Sequence, residues 1–249
     1  MLLSGRNAVV YGGGGSIGGA MARAFAREGA RVHLVGRSAE PLTAVAKDIR
    51  ASGGVAETAC LDALDAAAVD AHADAVAAAA GSLDISVNVI SHGDVQGTPL
   101  SEMSPADFER PVVTAVRSMF LTTRAAARHM LRQRSGVILM FGGYGDPLPR
   151  LGGLQVAFGA LESLRRALAC ELGPSGIRVV TLQTGGIPEC IPEGMPGRQA
   201  ITDDITGRTM LGRPATLADV GDVAAFAASD RARTITASAI NITCGAEVG

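Results

Sequence analysis

The chain has 249 residues, a formal net charge of −2 and a mean composition of 47% hydrophobic and 18% charged residues. That composition excludes a disordered chain, and the near-neutral charge excludes a basic nucleic-acid surface as the main theme. Aromatic residues make up only 3% with no tryptophan, which excludes a base-stacking platform. Lys47 is the only lysine, and Tyr11 and Tyr144 are the only tyrosines. Any mechanism that needs a tyrosine beside a lysine has few places to find them.

In chain order, short apolar runs alternate with Ala-rich helical runs. Asn7–Tyr11 reads as a strand, Ser16–Glu28 as a helix, Arg31–Val35 as a strand and Glu40–Ser52 as a helix. Val55–Cys60 and Ile85–Ile90 read as strands around a helix at Ala66–Ala80. A long helix starts near Ser104, where Ser104-Pro105-Ala106-Asp107 supplies a side-chain acceptor, a first-turn proline and an acid for the helix dipole. Pro111 is expected to kink or restart it. Val137–Phe141 is the fifth strand, Leu154–Leu172 a helix stopped at Gly173-Pro174, and Arg178–Gln183 the sixth strand. Thr216–Ser229 and Ala239–Thr243 close the chain as a helix and a strand. Apolar strands separated by helices imply one doubly wound parallel α/β sheet, a single Rossmann-like domain covered on both faces. The stretch 185–210, rich in Gly and Pro and without clear periodicity, reads as a substrate lid.

The N-terminus lacks a basic-then-apolar signal, and no apolar run approaches the ~20 residues of a membrane span. The four scattered cysteines show no Cys-x-x-Cys pair. Buried or half-buried free thiols, no metal, no membrane partner and a cytoplasmic location are the expectations. His33, His72 and His129 read as strand or helix-surface residues without ligand spacing.

Between the first strand and first helix runs Tyr11-Gly12-Gly13-Gly14-Gly15-Ser16-Ile17-Gly18. Small residues let the backbone approach a pyrophosphate, and the helix N-terminus offers free N–H groups and partial positive charge. The second strand ends at Gly36-Arg37-Ser38. An acid there would bind a free ribose 2′-hydroxyl, whereas Arg37 favours a 2′-phosphate, and so NADP(H) over NAD(H).

These features, with Leu61-Asp62-Ala63, Val87-Asn88-Val89-Ile90-Ser91, Gly176-Ile177-Arg178-Val179 and Thr184-Gly185-Gly186-Ile187, resemble the short-chain dehydrogenase/reductase family over almost the whole chain. The resemblance implies cofactor contacts at Gly12, Gly14, Gly15, Ser16, Ile17, Gly18, Arg37, Asp62, Ala63, Asn88 and Ile187. It also implies a small-molecule substrate and a homo-oligomer, dimer or tetramer. The family's chemistry uses an Asn, a Ser, a Tyr and, four residues on, a Lys. Threading the segments puts these positions at Ala115, Gly143, Val156 and Ala160, none of which carries a titratable or hydrogen-bonding side chain.

Polar residues expected at the strand ends are Ser91, His92 and Asp94 after the fourth strand, Tyr144 and Asp146 after the fifth, and Gln183 and Thr184 after the sixth. Of these, His92, Asp94, Tyr144, Gln183 and Thr184, with Gly143 and Val156, form the expected substrate pocket. His92 is the acid–base candidate because imidazole titrates near neutrality, and Tyr144 could donate to a substrate oxygen. Three readings stay open: an NADP(H)-dependent reductase with an atypical proton donor, a non-redox enzyme such as a dehydratase, isomerase or cyclase, and a catalytically inactive ligand-binding or partner subunit.

Overall fold

A computed structural model describes residues 1–142 and 148–248. Seven parallel strands form one sheet in the order β3-β2-β1-β4-β5-β6-β7, where β1 is Asn7–Tyr11, β2 Arg31–Gly36, β3 Val55–Cys60, β4 Ile85–Asn88, β5 Gly136–Gly142, β6 Ile177–Gln183 and β7 Ser238–Asn241. The helices are α1 (Ser16–Arg27), α2 (Ala39–Ala51), α3 (Ala66–Ala80), α4 (Pro105–Gln133), α5 (Gly153–Leu172), α6 (Arg198–Gly207) and α7 (Leu217–Ala228). The strand order reverses between β1 and β4, and at such a switch point the two neighbouring connections diverge and leave a crevice beyond the strand C-termini.

Each sheet face buries an apolar layer. Val10, Leu34, Val87, Leu139 and Val180 face one side with Met21 and Phe25 of α1. Val9, Val35, Ile138, Met140 and Val179 face the other with Met119 of α4 and Leu161 of α5. Alternate residues of one strand therefore serve both layers, which is why the strands are apolar throughout. Among the described residues, no helix is long and apolar enough to cross a membrane.

Side chains fix the element ends. Ser104 accepts from the Asp107 N–H at 3.1 Å and caps α4. Asp65 accepts from Ala67 and Ala68 at the start of α3. Thr216 and Asp219 form a reciprocal capping box on α7, so Thr216 caps that helix instead of lying within it. β4 stops at Asn88, two residues short of the expected Ile90, because Asn88 Oδ1 accepts from Ile90 N–H at 3.2 Å and turns the chain out of the ladder. Asn241 ends β7 in the same way, accepting from Thr243 N–H at 2.9 Å.

Four further expectations are corrected. Helix α4 passes through Pro111 without restarting. Pro111 sits on the buried side, where it meets the start of α5: a Cβ on Gly153 would lie 2.0 Å from Phe108 O and 2.9 Å from Pro111 Cγ. The 185–210 stretch is not free of regular structure. It carries a 3-10 turn at Pro188–Cys190 and α6, whose only buried residue is Ile205, so no apolar period announced it. Cys60, Cys170 and Cys190 are exposed free thiols and Cys244 is half-buried. His33 and His129 are buried, and His72 packs edge-on against Tyr11 with centroids 6.4 Å apart.

Candidate active-site crevice

A crevice of about 870 Å³ opens beyond the C-terminal ends of β1, β2, β4 and β5. That volume lies within the range of roughly 300–1,000 Å³ common for ligand sites. The glycine turn forms its floor. The N–H groups of Gly12 and Gly13 both donate to Val35 O, at 2.8 and 3.1 Å. Gly12 has φ +86°, and a Cβ there would stand 2.6 Å from Val89 O. A Cβ on Gly18 would stand 2.2 Å from Gly12 O. Both positions exclude any larger residue.

Gly15 leads into α1 in extended conformation, and no side chain caps the helix. Gly14, Gly15, Ser16, Ile17 and Gly18 line the crevice, so the first turn of α1 presents its N–H groups there. Ser16 is exposed at that helix start. The residues present fit a dinucleotide pyrophosphate: a close-approach backbone next to an uncapped helix N-terminus.

Arg37 and Ser38 line the mouth beyond β2, both exposed. Among the described residues Arg37 makes no ion pair, and its charge is open to an incoming anion. Asp62 and Ala63 line the same end beyond β3, where Asp62 Oδ1 accepts from Leu64 N–H at 2.9 Å. Asn88 also lines the crevice, but its side chain is committed to the fold. Its amide donates to Thr122 Oγ1 at 3.2 Å, and its carbonyl holds the Ile90 turn.

At the other end the structure corrects the threading of α5. Val156 is 47% exposed and outside the crevice, and Ala160 is half-buried and outside it too. The crevice-facing pair is Leu154 and Phe158, one helical turn apart. The rotation of α5 is set where Gly153 seats on the α4 backbone at Phe108. The Phe158 ring stands by the end of β5, where a Cβ on Gly142 would lie 3.2 Å from it. Ala115 is buried beneath the site, and its neighbour Thr114 lines the crevice.

His92 lies edge-on to Phe158, with ring centroids 6.3 Å apart at 68°. Burial pushes its pKa below the ordinary imidazole value, opposed by the nearby Asp94 carboxylate. Its charged form is therefore disfavoured. Asp94 accepts from Gln96 Nε2 at 2.7 Å, and both line the crevice. Gln183 is buried, Thr184 half-buried and Ile187 part of the core, and none of the three is among the described lining residues. Gly143, Tyr144 and Asp146 lie outside the described residues. Lys47 is exposed on α2. Tyr11 is buried in β1 below the glycine turn, and burial together with the Asp70 charge pushes its hydroxyl pKa up, which disfavours a phenolate.

Sequence reasoning missed Leu154, Phe158, Phe141 and Cys190, all of which line the crevice. A search restricted to polar residues could not find a wall made of hydrocarbon.

A family model described as enoyl-(acyl carrier protein) reductase matches residues 13–247. The chain is 31% identical over 229 residues to gluconate 5-dehydrogenase of Gluconobacter oxydans, covering 91% of this chain and 89% of that one. It is 31% identical over 237 residues to D-threitol dehydrogenase of Mycolicibacterium smegmatis, covering 94% and 89%. Among solved structures it resembles a short-chain dehydrogenase/reductase from Serratia marcescens, with a TM-score of 0.88, 28% identity and full coverage of both chains. The chain belongs to the short-chain dehydrogenase/reductase family.

Proposed function

We propose that this chain is an NADP(H)-binding protein of oxidoreductase descent that holds its cofactor without the family's Tyr–Lys acid–base pair. The observation that carries this reading is the crevice face of α5, where Leu154 and Phe158 stand one turn apart. Neither side chain can donate or accept a proton. Lys47 is the only lysine and stands on α2, on the adenosine side.

The cofactor, when bound, would supply a hydride. The chain's own residues would bind and orient it. The uncapped first turn of α1 would take the pyrophosphate, and Arg37 with Ser38 would take the 2′-phosphate. Asp62 and Ala63 would flank the adenine. Absence of a positioned acid typically costs ~10²–10⁴ in rate. Absence of the lysine also removes a donor to the nicotinamide ribose, which predicts weaker binding at that end. The exposed Val113 and Phe120 on α4 support a homo-oligomer.

A second reading, an atypical reductase, rests on His92, which lines the same end of the crevice. Its lowered pKa makes it a poor acid at pH 7, so turnover through His92 would rise as the pH falls below the ordinary imidazole range. Non-redox chemistry at the same site would proceed without net change in NADPH.

Titration with NADPH and NADH, followed by thermal shift, tests the binding half. Preferential stabilisation by NADPH supports the reading; no shift with either nucleotide overturns it. The chemical half is tested by the double substitution Leu154→Tyr with Phe158→Lys. It should tighten NADPH binding relative to the unaltered chain, because the lysine regains a ribose contact. Unchanged affinity in the folded double variant would remove α5 from the cofactor site.

A further inference from the structure

The end of the crevice remote from Arg37 has a composition that the reactions named for the relatives do not explain. Ile90, Phe141, Leu154 and Phe158 supply an apolar wall, and Ser91, His92, Asp94, Gln96 and Thr114 are the polar lining residues of that region. Among the described lining residues, the only permanent cation is Arg37, at the opposite end. A gluconate carboxylate would find no cation there. A tetritol seated on the Leu154–Phe158 wall would leave the hydroxyls on that side against hydrocarbon, which penalises it there. A pocket that binds hydroxyls strongly needs partners built for each of them.

The aromatic groups present a particular shape. His92 and Phe158 meet edge-to-face at 6.3 Å, and the Phe158 ring approaches the backbone at Gly142, where any side chain would crowd it. Two rings at a steep angle form a corner that accepts the face of a flat ring against one wall and its edge against the other. Burial favours the neutral imidazole, which has one ring nitrogen to donate and one to accept a hydrogen bond without a charged partner.

We propose that this end of the crevice takes an uncharged planar aromatic group of a second molecule, seated on Phe158 and Leu154 with its polar edge toward His92, and not a polyol or sugar acid. The inference rests on the NADP(H) reading only in that the adenosine half of the cofactor occupies the other end, while its nicotinamide ribose comes no closer than the edge of Phe158.

The chain has no tryptophan, so a fluorescent ligand can be followed against a low background. The probe is 2-naphthol, titrated into the unaltered protein alone and with saturating NADP⁺, which does not fluoresce. Expected are saturable binding under both conditions and no displacement by D-threitol or gluconate. Phe158→Leu, which keeps the volume but removes the ring, should weaken 2-naphthol about three- to tenfold, the equivalent of roughly 0.5–1.5 kcal/mol for an aromatic pair. His92→Ala should weaken 2-naphthol more than naphthalene, which has no polar edge. Val156→Ala, on the outer face of α5, should change nothing. The inference is overturned by an absence of binding, by displacement with D-threitol or gluconate, by equal affinity in the Phe158→Leu variant, or by displacement with NADP⁺, which would mean that the nicotinamide itself fills the aromatic corner. Binding of 2-naphthol with no NADP⁺ or NADPH binding would instead sink the cofactor reading and leave this one standing.

Discussion

The two ends of the crevice obey different rules. At the glycine turn, backbone carries the chemistry: Gly12 and Gly18 permit close approach, and α1 supplies N–H groups that no substitution of a neighbouring side chain removes. At the α5 end, side chains carry it, and there the chain offers Leu154 and Phe158. A scaffold can keep a binding site made of backbone while a site made of side chains changes completely. The first is tied to the packing of the sheet; the second rests on the half-buried side chains Leu154 and Phe158, which leave the sheet backbone in place when exchanged.

The largest effect should come from the backbone end. Gly18→Ala places a Cβ against Gly12 O, a rigid atom, so the turn must move. Overpacking of this kind costs about 1–3 kcal/mol, which should lower the melting temperature by several degrees and abolish nucleotide-induced stabilisation. A variant that melts and binds NADPH like the unaltered chain would break the comparison at its stronger side.

Next is Arg37→Ala. A hydrogen bond to a charged group contributes about 1.5–3 kcal/mol, so NADPH affinity should fall roughly 10- to 150-fold with NADH nearly unaffected. Equal losses for both nucleotides, measured by titration, would remove Arg37 from the 2′-phosphate.

A smaller effect is set by pH. Burial, with His33 as a like-charged neighbour, lowers the His72 pKa to about 4, while its ordinary value is near 6.5. The folded chain therefore binds fewer protons than the unfolded one between those values. Stability from this group is complete above about pH 6.5 and is lost as the pH falls toward 4. His33 shifts in the same direction. Thermal melts across that window should show a decline that His72→Gln flattens; an unflattened decline would assign it to other groups. Last, Val156→Ala should leave nucleotide binding unchanged, because the residue faces away from the crevice.

Much of this architecture was legible from residue types because their causes are local. Ser104 and Asp65 cap the helices they precede, and the uniformly apolar strands announce a sheet buried on both faces. The glycine turn was legible for the same reason: its geometry is written in the residues that make it. The phase of α5 was not, because it is set by a distant contact, Gly153 on the Phe108 backbone. Two residues of error turned a crevice-facing pair into Val156 and Ala160. Helix α6 was missed because one buried Ile205 makes no periodic stripe. That the Asn88 side chain is held by Thr122 and the Ile90 turn was not legible either, because only the folded chain creates that partnership.

On the proposed reading, NADPH binds but no acid–base pair lets its hydride be spent through the family's route. The direct measurement is single-turnover oxidation: the protein saturated with NADPH, mixed with a panel of ketones, aldehydes and quinones, and followed at the nicotinamide absorbance. Bound NADPH should be consumed no more than ~10⁻² as fast as a Tyr–Lys reductase turning over at about 10 s⁻¹ would consume it. Consumption at about that full rate with any member of the panel would contradict it.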